Sequence, residues 1–265
     1  MIFIDTHSHL YDEAFAGEED NAVARAIEAG VTKMILPDID SKTRREMFDL
    51  ADRHKDALFP CLGLHPTSVD GNWEKEMSEL ESFLNDEIIT GKRKIYAIGE
   101  IGMDCYWSKD FIKEQQEVLA TQLEMAARLN LPVIIHSRES TELIINVLKG
   151  KRHLGIRGVF HAYSGSAETF RELDRLGNWY IGIGGVLTYK KASIAETVKN
   201  IPLERILLET DSPYLTPVPF RGKRNESSYV PHIATKLAEL KGIDIEEVAA
   251  VTTENAQKLF GANIQ

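Results

Sequence analysis

Ile2-Phe3-Ile4-Asp5-Thr6-His7-Ser8-His9 is an apolar run that ends in two histidines one residue apart. Side chains along a strand alternate between faces, so His7 and His9 point the same way and stand close enough to grip one cation. Alone, the pair is more often what a frayed amino terminus shows. The rest of the chain decides between these readings.

Outward from this run, short apolar stretches alternate with longer amphipathic ones. Strands are expected over residues 2–5, 33–36, 58–63, 95–99, 132–136, 158–161, 179–183 and 205–209. Between them, Ala22, Val23, Ala26 and Ile27 recur at helical spacing, as do Val118, Leu119, Gln122, Leu123 and Ala126, and Leu143, Ile144 and Val147. Strands that are apolar without strict alternation suit a parallel sheet covered on both faces. Eight of them with intervening helices predict an α/β fold that closes as a (β/α)8 TIM barrel, regular or distorted. The 265 residues suffice for one such barrel and contain no evident linker or repeat, so residues 1–265 are read as a single domain. Residues 217–228 form the one long stretch expected to be an irregular loop.

Composition narrows the function. No apolar stretch approaches the ~18 to 20 residues that cross a bilayer, and no basic segment with a cleavable apolar one precedes the first strand. Cys61 and Cys105 are too few for a disulfide framework and lack CxxC spacing. Together these features predict a cytoplasmic protein with free thiols and no membrane partner. The formal charge of −10 argues against broad binding to a duplex, while leaving room for a nucleic-acid enzyme with a narrow basic pocket.

Barrels of this kind gather their chemistry at the carboxyl ends of the strands. His7 and His9 follow the first expected strand, His65 the third, Glu100 the fourth, His136 and Arg138 the fifth, His161 the sixth, and Glu209 and Asp211 the eighth. Each histidine alone would more often be a surface or hydrogen-bonded core residue, but their recurrence at strand ends reverses that reading. Imidazoles with carboxylates suit zinc, manganese or magnesium. Glu100 ends an apolar strand, where a carboxylate is costly to bury unless a metal or a cationic side chain such as Arg138 meets it. His54 and His153 lie among charged residues and read as surface. In Arg221-Gly222-Lys223-Arg224-Asn225-Glu226, guanidinium groups suit phosphate oxygens, although a short basic run is usually just solvated.

Taken in order, Ile4-Asp5-Thr6-His7-Ser8-His9-Leu10, Gly63-Leu64-His65-Pro66, Ala97-Ile98-Gly99-Glu100-Ile101-Gly102-Met103-Asp104, Pro132-Val133-Ile134-Ile135-His136-Ser137-Arg138, His161-Ala162-Tyr163-Ser164-Gly165, Glu209-Thr210-Asp211-Ser212-Pro213-Tyr214-Leu215 and Arg221-Gly222-Lys223-Arg224-Asn225 resemble the TatD family of metal-dependent deoxyribonucleases, within the amidohydrolase-like superfamily. The resemblance spans essentially the whole chain. It implies two divalent cations, Mg, Mn or Zn: His7, His9, Glu100 and Asp211 on one, and Glu100, His136 and His161 on the other. It further implies that His65 touches the scissile phosphate and that Arg221 and Asn225 lie near a nucleic-acid backbone. Three positions depart from the usual pattern: Tyr11 after the HxHL motif, Cys105 after Gly-Met-Asp, and the pair Glu139-Ser140. None removes a ligand.

The expected function is therefore hydrolysis of phosphodiester bonds in single-stranded DNA or at DNA ends, from the 3′ to the 5′ direction. Two cations about 3.5 to 4 Å apart would acidify water and stabilise the departing oxygen, with Asp211 orienting and deprotonating that water. Tyr106, Trp107, Tyr163, Tyr189 and Tyr214 lie near strand ends, where they could stack on bases or simply pack against the rim. One rival is the same site acting on an amide, lactone or aminoacyl ester. Relatives that cleave amides often bridge their metals with a modified lysine where this chain has Glu100, which favours the phosphodiester. Another rival is a non-catalytic barrel holding structural metal, which would need only four closed ligands and would leave His65, Asp211 and the basic loop unexplained.

Overall fold

Eight strands alternate with helices along residues 1–261, the part of the chain that the computed structural model describes. The strands are β1 (Phe3–Asp5), β2 (Val31–Leu36), β3 (Leu58–Pro60), β4 (Ile98–Asp104), β5 (Val133–Arg138), β6 (Arg157–Phe160), β7 (Asn178–Ile183) and β8 (Ile206–Leu208). The helices are α1 (Glu19–Glu28), α2 (Ser41–Arg53), α3 (Trp73–Phe83), α4 (Ile112–Leu129), α5 (Thr141–Gly150), α6 (Ala167–Asp174), α7 (Ile194–Lys199), α8 (Val230–Lys241) and α9 (Ile245–Phe260). Every ladder is parallel, in the orders β1-β2-β3 and β4-β5-β6-β7-β8.

The two sheets meet at both seams and close the barrel. At one seam Leu62 pairs with Ile98, and the Gly99 N–H donates to the Leu62 carbonyl at 3.0 Å. At the other, the Thr6 N–H donates to the Leu208 carbonyl at 3.0 Å and Ser8 pairs with Ser212. Buried Asp5 locks this second seam, accepting from the Thr210 N–H at 3.0 Å and from the Thr210 hydroxyl at 2.6 Å. The expected (β/α)8 closure is thus present, with irregular register in β1 and β4.

Two apolar layers hold it. Inside the barrel, Ile4, Ile35, Phe59, Ile134, Val159, Tyr180 and Leu207 converge with Ala97, which stands just ahead of β4. Ala256, Leu259 and Phe260 of α9 pack into the same cluster and plug the amino-terminal end of the barrel. Asn255 fixes that plug by donating to the Leu203 and Ile206 carbonyls, each at 2.9 Å. The outer layer lies between strands and helices, where the expected periodic residues of α1, α4 and α5 are largely buried. A barrel filled from below leaves its carboxyl-terminal mouth as the place for polar chemistry.

The fourth strand differs from the expectation. It begins at Ile98 and runs to Asp104, so Glu100 lies within it rather than after it. Its pairing with β5 slips between Ile98 and Ile101, and an irregularity of this kind re-aims a side chain. Gly102 follows at φ +143°, where a Cβ would stand 2.0 Å from the His136 carbonyl oxygen. Only glycine lets β4 approach β5 this closely beside Glu100 and His136.

No helix among the described residues is long and apolar enough to cross a membrane. Both cysteines are buried and unbridged.

Candidate metal centre

Glu100, 2% exposed, is the hub of the barrel mouth. Its Oε1 lies 2.7 Å from His161 Nε2, 2.8 Å from His136 Nδ1 and 3.2 Å from His65 Nε2. Its Oε2 lies 3.0 Å from His7 Nε2 and 3.6 Å from His9 Nε2. Asp211 completes the second group, with Oδ1 3.6 Å from both His7 Nε2 and His9 Nε2. The two oxygens of one buried carboxylate therefore face two separate sets of imidazoles. The ion pair with Arg138 considered for Glu100 is not what meets it.

The donor chemistry fits cations. His7 Nε2 and His9 Nε2 face each other at 3.1 Å, and His136 Nδ1 and His161 Nε2 at 3.3 Å. Each facing pair can share only one proton, whereas a cation satisfies both lone pairs at once. His7 Nδ1 and His161 Nδ1 are buried without a hydrogen-bond partner, as is Glu209 Oε2 beneath them. Among the described residues, the triplets His7-His9-Asp211, His65-Glu100-His136 and His7-His161-Glu209 bring possible ligand atoms within 4.8 Å of one another.

Electrostatics matches this geometry. Burial alone would raise the Glu100 carboxyl, but protonated His161, the adjacent His65 and His7 rings and the His136 hydrogen bond hold it well below the usual range. Burial would likewise raise Asp211, and the surrounding imidazoles of His9, His161 and His7 override it downward. Burial pushes His7 down to about 4, so its ring is neutral. His161 is also pressed downward by burial, but Glu100 chiefly, helped by Asp211, draws it up to about 10. Desolvation lifts Glu209 to about 8, leaving it protonated at neutral pH.

Residues outside this set fix the histidine tautomers. Tyr11 donates its hydroxyl proton to the Pro37 carbonyl, so its oxygen accepts from His9 Nδ1 at 3.0 Å. Burial, reinforced by the nearby Asp38 and Glu100 charges, keeps the Tyr11 phenol protonated. This leaves the His9 Nε2 lone pair facing Glu100 and Asp211. Tyr11, one of the departures from the family pattern, thus orients the His9 ring. Tyr11→Phe is expected to weaken divalent-metal affinity by about 10- to 100-fold, the cost typical of removing a ligand's hydrogen-bond partner. Calorimetric titration with Mn²⁺ checks it, and unaltered affinity would remove Tyr11 from this role.

Asp104 plays the same part for His136, with Oδ2 2.9 Å from Nε2, so that Nδ1 faces the cluster. Burial would raise the Asp104 carboxyl, but the His136 hydrogen bond and the Trp107 and Tyr106 N–H groups bring it below its ordinary value. Two buried glutamines of α4 brace the surrounding loops. Gln115 pairs with the Asp104 backbone at 2.9 and 3.2 Å, and Gln122 with the Leu64 backbone at 2.8 and 3.2 Å. Polar residues at buried helical positions are the sequence signal for such braces.

His65 differs from the other four. Its Nδ1 accepts the Thr67 N–H at 3.1 Å, which places the ring proton on Nε2. Its pKa is lowered chiefly by burial, so the ring is a neutral N–H donor pointing toward Oε1 of Glu100.

The basic loop is less uniform than its sequence suggests. Arg224 is committed to Glu18 at 2.6 Å and to the Ala14 carbonyl at 2.6 Å, and Glu226 pairs with Arg25 at 2.7 Å. Asn225, which the family resemblance places near a nucleic-acid backbone, is fully buried. Its amide donates to the Thr210 and Tyr214 carbonyls at 2.8 and 2.5 Å, and its oxygen accepts the Glu226 N–H at 3.0 Å. It ties the loop to the Asp211 segment and has no polar atom left for a ligand. Arg221 forms no ion pair among the described residues and stacks 4.2 Å from the Tyr189 ring centre. Tyr163 is buried, with its hydroxyl on the Ser166 carbonyl, and so is a packing residue. His54 pairs with Asp20 at the surface and His153 is exposed, as expected of residues outside the site.

A closed (β/α)8 barrel carrying this cluster defines a metal-dependent hydrolase. The chain belongs to the TatD family: the family model described as TatD related DNase matches residues 4–261. Among its relatives, the uncharacterized metal-dependent hydrolase YabD of Bacillus subtilis is 39% identical over 99% of this chain and all of its own length. The 3′-5′ ssDNA/RNA exonuclease TatD of Pantoea ananatis is 32% identical over 97% of this chain and 98% of its own. The crystal structure of YjjV, a TatD homologue from Escherichia coli, matches with a TM-score of 0.88 and 32% identity over 97% of each chain.

Proposed function

We propose that this enzyme is a two-metal phosphodiesterase that removes nucleotides from the 3′ ends of single-stranded DNA. The observation that carries the reading is the division of Glu100 between two imidazole sets, Oε2 toward His7 and His9 and Oε1 toward His136 and His161. In this reading His7, His9, Glu100 and Asp211 hold one Mg²⁺, Mn²⁺ or Zn²⁺ ion, and Glu100, His136 and His161 hold the other. Bound there, such cations supply Lewis acidity to the phosphodiester and acidify water. Asp211 orients the attacking water and takes its proton. His65, with its proton on Nε2, donates to a non-bridging phosphate oxygen. Asn225 holds the loop that carries Arg221, and Arg221 meets the substrate backbone. The exonuclease name of the Pantoea ananatis relative supports the same substrate class.

The test is a 5′-labelled single-stranded DNA incubated with protein and Mg²⁺ or Mn²⁺, with and without chelator. Chelator-sensitive shortening from the 3′ end is expected. Intact DNA in the presence of metal-loaded protein would move the reading to an ester or amide substrate. Arg221→Ala is expected to raise KM about tenfold while changing kcat less, because an exposed charge away from the reacting atoms binds ground and transition states alike. Steady-state kinetics checks this, and equal losses in kcat and kcat/KM would mean that Arg221 acts only in the transition state.

A further inference from the structure

Trp107 and Tyr106 follow β4 at the same end of the barrel as the metal cluster, and they stay 70% and 51% exposed. Their rings meet edge to face, with centroids 5.0 Å apart and planes at 85°. The Arg138 guanidinium stands 3.8 Å from the Tyr106 ring centre and 5.2 Å from that of Trp107. Arg138 makes no ion pair among the described residues.

This group is held in place from below. Asp104 pairs in register with Arg138, and the Cys105 N–H donates to the Arg138 carbonyl at 2.9 Å. Asp104 Oδ1 accepts the Tyr106 and Trp107 N–H groups at 2.9 and 3.2 Å. Its Oδ2 is the oxygen that holds His136. One carboxylate thus sets both a metal-site imidazole and two exposed aromatic rings.

We infer that Tyr106, Trp107 and Arg138 form a nucleobase-stacking subsite on the rim of the metal centre, and this rests on the phosphodiesterase reading above. Exposed rings with an unpaired guanidinium match single-stranded nucleic acid, whose bases stack on aromatics and whose phosphates accept from arginine. A backbone phosphate alone would need only the charge, and a purely apolar ligand only the rings. Because every base has a π-face, the subsite selects single strands over duplexes without selecting sequence.

The experiment uses manganese-loaded protein and two cleavage-resistant phosphorothioate decamers, dT10 and a tetrahydrofuran decamer with the same backbone charge and no bases. Binding is read by fluorescence anisotropy for wild type, Trp107→Ala and Trp107→Phe. Trp107→Ala is expected to bind dT10 about tenfold more weakly, within the range for one lost base stack, and Trp107→Phe to recover most of that. Wild type is expected to prefer dT10 over the abasic decamer by a similar factor. Equal dT10 affinity in wild type and Trp107→Ala would overturn the subsite. Tryptophan-dependent binding together with failure to shorten ordinary DNA would support the subsite and sink the exonuclease reading alone.

Discussion

Asp211→Asn is expected to fold and bind metal while losing at least about a hundredfold in turnover, the order that follows loss of a general base. The substitution keeps size and shape, so the hydrogen bond from the Asp211 N–H to the His7 carbonyl at 2.9 Å is untouched. The residue adopts φ +56°, a conformation that aspartate and asparagine both tolerate better than most side chains. What changes is charge and basicity. His9, His161 and His7 hold the Asp211 carboxyl below its ordinary value against the opposing effect of burial, so it is ionised and able to accept a proton at neutral pH. An amide has neither property. Single-turnover rates at saturating Mn²⁺, with metal content measured on the same samples, check the prediction. A metal-replete Asp211→Asn enzyme of wild-type rate would remove Asp211 from proton transfer.

Glu100→Gln has the larger consequence, because both halves of the centre depend on this carboxylate. A glutamine oxygen can face only one imidazole set, and its amide hydrogens face the other. Metal affinity is expected to fall by more than about a hundredfold, beyond the 10- to 100-fold typical of residues one step removed from a ligand. Activity should fall with it, and excess Mn²⁺ should restore little. The metal-free protein is affected as well. The buried Glu100 charge offsets protonated His161, which it draws up to about 10, and removing that charge leaves the imidazolium only Asp211 as ionised partner and lets burial draw its pKa down. Melting of metal-free wild type and Glu100→Gln, compared with their Mn²⁺ titrations, separates the two effects. Normal metal binding by Glu100→Gln would refute the bridging role.

Much of the architecture was legible because the barrel repeats one simple pattern. The eight apolar runs correspond to β1 through β8, and the polar residues at their carboxyl ends converge in space as expected of a (β/α)8 closure. The shared face of His7 and His9 was readable from alternation, and their role from the polar residues at the other strand ends. The position of Glu100 inside β4 was not, because the slipped register that re-aims it depends on pairing with β5. Asp104, Gln115 and Gln122 act on partners 11 to 58 residues away, so their hydrogen bonds leave no local spacing to read. Tyr11 stood out only as a departure from the family pattern, and its meaning needed the Pro37 carbonyl beside it. The burial of Asn225 was not legible, because it depends on the loop folding over it and consuming its amide. For Tyr163 the sequence left stacking and packing both open, because proximity to a strand end does not distinguish the rim from the packing layer beneath it.

The most direct measurement is the number of Mn²⁺ ions bound per chain, by calorimetric titration of chelator-treated protein with elemental analysis of the saturated product. Two ions per wild-type chain are expected, because Glu100 presents one oxygen to each imidazole set. A single ion at saturation in a fully active enzyme would contradict the shared-carboxylate centre.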